Sequence, residues 1–220
     1  GYVAVWAEDN TREALFDALQ RREVYASTGP RITLRLFAGW GFTGEELYDA
    51  DFAAQGYRAG VPMGGQLNGS CEETGQVSIL VRASRDPMGA NLDRIQIVKG
   101  WMDQGEHRER VYDVALSDGR KVGEAGQVLE VGNTVDIQSA AYANTIGAAE
   151  LGTVWTDRDF DPEQQAFYYA RVLEIPTPRW TTHDAAAFGI PPPDNVPGSV
   201  QQRVYSSPVW YEPSAAGNGS

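Results

Sequence analysis

The chain has 220 residues, of which 42% are hydrophobic and 22% charged, and these values exclude a disordered protein. Its formal net charge of −12 argues against nucleic acid or an anionic membrane as a partner, because phosphate binding needs clustered Lys and Arg. No apolar run approaches the roughly 20 residues that span a bilayer, so we expect no membrane insertion. The single cysteine, Cys71, excludes an intrachain disulfide and is predicted to be an inert thiol.

The first thirty residues predict a strand, a helix and a second strand. Residues 2–7 form an apolar run long enough for one buried strand, and Asn10 or Thr11 is the expected cap of the following helix. The second strand covers 24–27. Such a unit is typical of the parallel layer of an α/β domain, but one unit cannot bury both faces of a parallel pair. We therefore predict that residues 1–30 are the end of an α/β domain whose body lies upstream, and the direct start in a strand predicts no signal peptide.

From Arg31 the pattern changes to alternation, with Ile32 and Leu34 on one face of a half-buried strand. Gly, Asn, Asp and Pro separate the later candidate strands at spacings typical of an all-β sandwich. Those strands are expected over 77–83, 92–101, 110–116, 129–131, 134–137, 150–157, 166–175 and 207–211. We predict a mainly β chain in which 31–213 form a β-sandwich with long loops and 214–220 a disordered tail.

Two short helices are also expected. One lies around 45–48, inside a long loop over 40–65. The other is expected to be capped by Thr182 or Asp184 and to continue through Phe188.

An acidic segment carries the spacing of a calcium-binding loop. Asp157, Asp159 and Asp161 follow the D-x-D-x-D pattern, in which oxygen ligands converge on a hard cation. The sixth position, which needs Gly, is Pro162, and the twelfth, which needs Glu, is Tyr168. We interpret the segment as an acidic turn between two strands, with calcium as the alternative.

The chain contains two histidines, His107 and His183. His183 precedes Asp184, but a catalytic pair would also need a nucleophile or a metal that the sequence does not identify. We interpret this segment as the polar first turn of a helix and keep an independent hydrolase using both residues as a lower-ranked alternative. His107 lies in a charged turn and is expected to be solvated.

Several aromatic residues lie in candidate strands: Trp101, Trp155, Phe167, Tyr168, Tyr169 and Trp210. Aromatic residues in such strands are most often core or inter-domain contacts. Exposed, coplanar rings in a groove would instead indicate a module that binds a glycan or a protein.

Several segments, in the same order along nearly the whole chain, resemble the C-terminal part of the DUF3604 family: VWAEDNTREALFDALQRREVYASTGPRI, GYRAGVPMGGQL, NLDRIQIVKGW, AFYYARVLEIPTPRWTTHDA and VYSSPVWYEP. These bacterial proteins are related to PHP-type metallohydrolases and, more loosely, to their carbaryl-hydrolase-like branch. The resemblance implies that residues 1–30 end a PHP-like distorted β/α barrel and that the remainder is a β-sandwich packed on it. It also implies zinc- or manganese-type divalent metals bound by a His and Asp cluster that begins with an HxH motif. The chain lacks HxH, so we expect no cofactor within it and a metal site upstream.

The expected function is therefore that of a C-terminal accessory domain of a metal-dependent hydrolase, not catalytic by itself. Its expected partners are the upstream barrel and a second copy in a homo-oligomer, in either the periplasm or the cytoplasm. The candidate barrel-facing residues are Trp6, Glu8, Arg31, Arg179, Trp180 and His183. This hypothesis predicts an apolar face on residues 1–30 that nothing in the chain covers. The alternative is a stand-alone β-sandwich module that binds a glycan or a protein.

Overall fold

The computed structural model describes residues 1–69, 75–124 and 126–213, so the predictions for Cys71 and the tail 214–220 lie outside the described residues. Strand accounts for 41% of the structure and helix for 14%, which confirms a mainly β chain. The helices are α1 (Arg12–Gln20), α2 (Phe52–Ala59) and α3 (Trp180–Phe188), with a 3-10 helix at Glu45–Tyr48. The strands are β1 (Tyr2–Val5), β2 (Val24–Ser27), β3 (Thr33–Gly39), β4 (Gly60–Pro62), β5 (Gln66–Asn68), β6 (Ser78–Ser84), β7 (Leu92–Asp103), β8 (Glu106–Leu116), β9 (Glu150–Thr156), β10 (Ala166–Glu174), β11 (Thr177–Pro178), β12 (Ser199–Val200), β13 (Arg203–Ser206) and β14 (Val209–Glu212).

The larger of the two main sheets has eight strands arranged around β10. Strand β7 pairs with β10 along one of its edges and with β8 along its other edge. On the other side, β14 pairs with the first part of β10 and β13 with the second part. Strand β13 continues to β2 and β1, while β14 pairs in parallel with β5. The smaller sheet has the antiparallel order β4-β3-β6-β9.

The core lies between these two sheets. Because side chains alternate between the faces of a strand, β10 buries every second residue, whereas β3, β6 and β7 also contain runs of consecutive buried residues. Ile32 and Leu34 are 1% and 0% exposed, as their alternation predicts. Other core residues are Leu36, Ile79, Val81, Ile95, Ile97, Tyr168, Ala170 and Val172. Across the described ranges the sheets stay open, as in a sandwich, and do not close into a barrel.

The predicted parallel arrangement of the N-terminal strands is wrong. Strands β1 and β2 are antiparallel, and β2 is antiparallel to β13, so residues 2–27 extend the larger sheet. The Trp6 amide donates to the Glu23 carbonyl at 3.0 Å, which places the start of β2 beside the end of β1. Helix α1 therefore returns the chain to the same end of the sheet, and a strand that re-enters there must run antiparallel.

The segment predicted as a long loop over 40–65 also contains α2 and β4. Gly56 lies within α2, where glycine lowers helix propensity by about 1 kcal/mol relative to Ala. A Cβ at this position would overlap the Phe37 ring, so glycine permits the helix to pack closely on β3. Packing of α2 against β3 thus stabilises a helix whose own sequence predicts it only weakly.

The strands predicted over 129–131 and 134–137 are not formed in the described part of the chain, although Asp136 and Ala141 form an isolated bridge. Side chains satisfy the backbone there instead. Thr134 Oγ1 donates to the Ala143 carbonyl at 2.8 Å, and Asp136 Oδ1 accepts from the Gln138 amide at 2.9 Å. Such local bonds compete with strand pairing.

Candidate functional site

The outer edge of the larger sheet, formed by β1 and α1, exposes apolar side chains. Tyr2 and Val3 of β1 are 55% and 68% exposed. Phe16 and Leu19 of α1 are 57% and 50% exposed, whereas Ala18 is the helix residue that is buried. We call these four exposed side chains, Tyr2, Val3, Phe16 and Leu19, the β1–α1 edge. Exposed apolar side chains on residues 1–30 are what the accessory-domain hypothesis predicts.

Helix α1 is fixed at both ends. The side chain of Thr11 accepts a hydrogen bond from the Ala14 amide at 3.3 Å, so Thr11 is the N-cap. After the helix, Arg22 has a φ of 60° and its guanidinium lies 4.7 Å from the centre of the Trp210 ring. Gly64 packs directly on the Arg22 carbonyl. Phe16 and Leu19 are therefore exposed on a helix whose position is fixed by its contacts.

Trp6, a predicted barrel-facing residue, is half-buried. Its indole nitrogen donates to the Leu34 carbonyl at 3.0 Å, and the Arg35 guanidinium lies 4.1 Å from its ring centre. The buried Glu23 accepts hydrogen bonds from Arg35 and from the Tyr57 hydroxyl. Burial and the bond to Glu23 raise the pKa of Tyr57 to about 12, which keeps its proton in place at neutral pH. Trp6 thus helps to join the two sheets.

Glu8 and Arg31 are both exposed but lie apart. Glu8 lies on the rim of an open pocket that Trp6 and Tyr57 also line. The Arg31 amide donates to Asp86 Oδ2 at 2.8 Å, and its guanidinium lies 5.6 Å from the Tyr2 ring centre. Arg31 therefore borders the β1–α1 edge at the Tyr2 end.

The three remaining candidates lie at the start of α3, whose N-cap is three residues before Thr182, the nearer of the two predicted caps. Arg179 is the N-cap residue, and Trp180 is 69% exposed. His183 is exposed on the same face of the helix, because residues three apart are neighbours there. Thr182 anchors the helix by donating to the Gly198 carbonyl at 2.6 Å. Within the described chain, His183 and Asp184 form no ion pair.

The six candidates therefore occupy three places: Trp6 and Glu8 at the open pocket, Arg31 beside Tyr2, and Arg179, Trp180 and His183 on α3. No hydrogen bond or ion pair between described residues joins these places. His107, predicted to be solvated, is exposed at the start of β8.

The acidic segment lies in the turn between β9 and β10, as predicted. Asp157 is 0% exposed, and its Oδ2 accepts from Lys99 Nζ at 2.6 Å and from the Tyr168 hydroxyl at 2.7 Å. Lys99 also donates to the Asp159 carbonyl at 2.9 Å, while the Asp159 side chain pairs with Arg110. Burial beside Asp157 raises the pKa of Tyr168 far above its usual value, so Tyr168 remains a donor.

Asp161 is the third residue of the predicted triplet. Its Oδ1 accepts a hydrogen bond from the Glu163 amide at 2.9 Å, so the side chain stabilises the turn that contains it. Each of the three carboxylates thus has a different partner. Among the described residues, no group of three or more His, Cys, Asp or Glu side chains has the arrangement of a metal site. The geometry favours a structural turn over the calcium alternative.

Five of the six aromatic residues lie in the larger sheet, on one or the other of its faces, and Trp155 lies in β9 of the smaller sheet. Tyr168 is fully buried, and Trp101 and Trp155 pack against the core, as predicted. Phe167, Tyr169 and Trp210 alternate with the inward-facing residues of their strands and lie on the outer face. The rings of Phe167 and Tyr169 are 6.4 Å apart and inclined by only 11°.

Glu174, at the end of β10, was not identified from the sequence. It is 2% exposed, and its Oε1 has no hydrogen-bond partner in the described structure. Burial, with a further contribution from the negative charge of Asp86, raises its pKa to about 8. The alternation that puts Tyr168 and Val172 inside also puts Glu174 inside, so the signal was present in the strand pattern.

A family model described as "Protein of unknown function (DUF3604)" matches residues 1–213. No curated protein and no solved structure matches the chain. The family match includes residues 1–30 together with the sandwich. In the described part of the chain, no helix has the length and apolarity to cross a membrane.

Proposed function

The chain belongs to the DUF3604 family, and from this premise we propose that it is the C-terminal accessory domain of a PHP-like, metal-dependent hydrolase and is not catalytic by itself. In this proposal the upstream barrel of the same protein covers the β1–α1 edge. The observation that carries the proposal is the exposure of Phe16 and Leu19 on a helix that is fixed in place.

Leaving the apolar side chains of Phe16 and Leu19 in water costs free energy. Phe16 and Leu19 are three residues apart and so lie on one face of α1. Complete burial of a fully exposed Phe or Leu side chain contributes about 1.5–3 kcal/mol, and these two are 57% and 50% exposed, so docking would gain roughly half of that from each. Tyr2 and Val3 on β1 are further exposed apolar side chains. Exposed apolar surface of this kind commonly marks an interaction site.

The proposal assigns the chemistry to the upstream part. A zinc- or manganese-type ion there would activate water for hydrolysis of an ester, amide or phosphate bond. In this chain, His107 lies on β8 and His183 on α3, on separate elements. The exposed Trp180 and His183 are proposed to border the mouth of the barrel and to shape access to it.

The test compares the complete gene product with the 220-residue chain. Metal content is measured by mass spectrometry, and hydrolysis is followed with p-nitrophenyl acetate and p-nitrophenyl phosphate in the presence of Zn²⁺ or Mn²⁺. We expect metal and activity only in the complete protein, with slower amide exchange in α1 than in the separate chain. Equal activity, or equal exchange in α1, would contradict the proposal.

A double variant, Phe16→Glu with Leu19→Glu, tests the docking surface. It is expected to increase amide exchange in α1 of the complete protein. Phe188→Glu, at a residue 74% exposed on α3, is the matched control and is expected to leave α1 protected. If light scattering shows that the separate chain dimerises through Phe16 and Leu19, a second copy is the occupant and the docking proposal is wrong.

A further inference from the structure

The outer face of the larger sheet contains a second apolar site, where β7, β8, β10 and β14 lie side by side. We call it the aromatic pocket. Its apolar part is formed by Gly100, Met102, Phe167 and Trp210. Its volume is about 430 Å³, within the range of roughly 300–1,000 Å³ that is typical of small-ligand sites.

Glycine at position 100 determines the shape of this pocket. Gly100 and Phe167 are direct partners across the β7–β10 pair, and a Cβ on Gly100 would overlap the Phe167 ring. The ring tip therefore lies over the backbone of β7, while the side chain remains 36% exposed. On the other side, Trp210 is the direct partner of Phe167. Two adjacent aromatic rings thus border an open space.

The rim of the pocket is polar and carries both signs of charge. Glu109 and Glu212 contribute carboxylates, Arg108 a guanidinium, and His107 and Gln165 groups that can donate or accept hydrogen bonds. All five are exposed. An apolar floor with a few surrounding polar groups is the usual composition of a ligand site.

The charges limit the chemistry of the ligand. The carboxylates of Glu109 and Glu212 disfavour an anion. The guanidinium of Arg22, 4.7 Å from the centre of the Trp210 ring, disfavours a second cation at that ring, while Arg108 on the rim is paired with Glu106 at 2.8 Å. A neutral ligand with an apolar face and many hydroxyl groups can pack that face on the aromatic rings and form hydrogen bonds with the polar groups of the rim.

We infer that the aromatic pocket binds a neutral saccharide. The rings of Phe167 and Trp210 contact the C–H face of a sugar, and Glu109, Gln165 and Glu212 accept hydrogen bonds from its hydroxyl groups. The inference does not depend on the accessory role of the chain, because the pocket is formed entirely by this chain's own strands.

Isothermal titration calorimetry of the 220-residue chain tests the inference. The neutral probes are cellohexaose, maltohexaose, xylohexaose and hexa-N-acetylchitohexaose, with trigalacturonate and choline as charged probes. We expect at least one neutral hexasaccharide to bind with a Kd below about 1 mM, equivalent to roughly −4 kcal/mol. The absence of binding by all four, or binding of only a charged probe, would overturn the inference.

Variants place the binding in the pocket. Phe167→Ala is expected to weaken binding at least about tenfold, whereas Phe188→Ala, on an exposed aromatic of α3, is expected to leave it unchanged. Glu109→Ala changes an exposed rim residue and is expected to weaken binding with an unaltered melting temperature, so the test holds even if Phe167→Ala fails to fold. Wild-type affinity in Glu109→Ala and a folded Phe167→Ala would place the sugar elsewhere and overturn the inference.

Discussion

Lys99 and Asp157 form an ion pair inside the sandwich, with Nζ 2.6 Å from Oδ2 and side chains that are 5% and 0% exposed. Asp157→Ala would leave the Lys99 ammonium and the Tyr168 hydroxyl without their buried acceptor. Removing one partner of a buried pair costs about 3–5 kcal/mol, and we expect a loss of that order in the free energy of unfolding. Urea denaturation followed by Trp fluorescence measures it.

The matched control is Glu106→Ala. Its ion pair with Arg108 has a distance of 2.8 Å, but the two side chains are 69% and 51% exposed. Exposed pairs contribute little, so the midpoint of denaturation is expected to stay nearly constant. Similar losses in both variants would show that burial does not determine the strength of the Lys99–Asp157 interaction.

Glu174 is expected to make stability depend on pH. Its pKa is raised from 4.5 to about 8 in the folded state, chiefly by burial. Below pH 4.5 the carboxyl is protonated in the folded and unfolded states alike, and stability from this group is fully present. As pH rises towards 8, the unfolded state ionises first, and the free energy of unfolding falls by up to about 1.4 kcal/mol for each pH unit.

Glu174→Gln removes this titration. The difference in the free energy of unfolding between the variant and the wild type should therefore change between pH 4.5 and about 8. Denaturation midpoints measured at intervals between pH 4 and 9 show the effect, with the exposed Glu130→Gln as control. Parallel pH profiles for wild type and Glu174→Gln would rule out the raised pKa.

Gly64 is expected to tolerate no side chain. Its φ is +86°, and a Cβ would overlap the carbonyl of Arg22. Gly64→Ala should therefore lower the free energy of unfolding by about 2 kcal/mol or more, since both backbone strain and steric overlap oppose it. Gly41, with no atom within 4 Å of its ideal Cβ, is the control, and Gly41→Ala should change the melting temperature little.

Calcium is expected to leave the melting temperature unchanged. Lys99 and Tyr168 already contact Asp157 Oδ2, and Asp159 pairs with Arg110. A ligand that binds only the folded state raises its stability, so scanning fluorimetry with CaCl₂ and with EDTA detects a bound ion. A higher melting temperature in CaCl₂ that Asp159→Asn abolishes would restore the calcium-loop interpretation.

The sequence predicts elements better than it predicts their pairing. Ile32 and Leu34 alternate with polar residues, and this local period is sufficient to identify β3 and its inward face. The direction of β1 relative to β2 depends on the end of the sheet to which α1 returns the chain, and the place of β2 in the larger sheet depends on β13, whose residues 203–206 lie far along the chain. Hydrophobic periodicity specifies neither, so the parallel expectation failed.

The same limit applies to the candidate sites. The sequence identified Trp6 and Trp180 as notable aromatic residues, but exposure separates them: Trp6 is half-buried beside Arg35, and Trp180 is 69% exposed. The aromatic pocket requires Gly100 and Phe167 to face each other in register, which only the β7–β10 pairing establishes. Residue type can be read from a sequence, whereas juxtaposition depends on the tertiary fold.

The pairing of β2 with β13 also has a kinetic consequence. Val204 and Ser27 are partners, so the larger sheet joins two segments from nearly opposite ends of the chain. Contacts between residues so distant in sequence slow folding, because the loop entropy must be lost before the contacts form. During synthesis, β2 must wait for residues 203–206 to leave the ribosome, and its apolar neighbours remain open to misassembly until then.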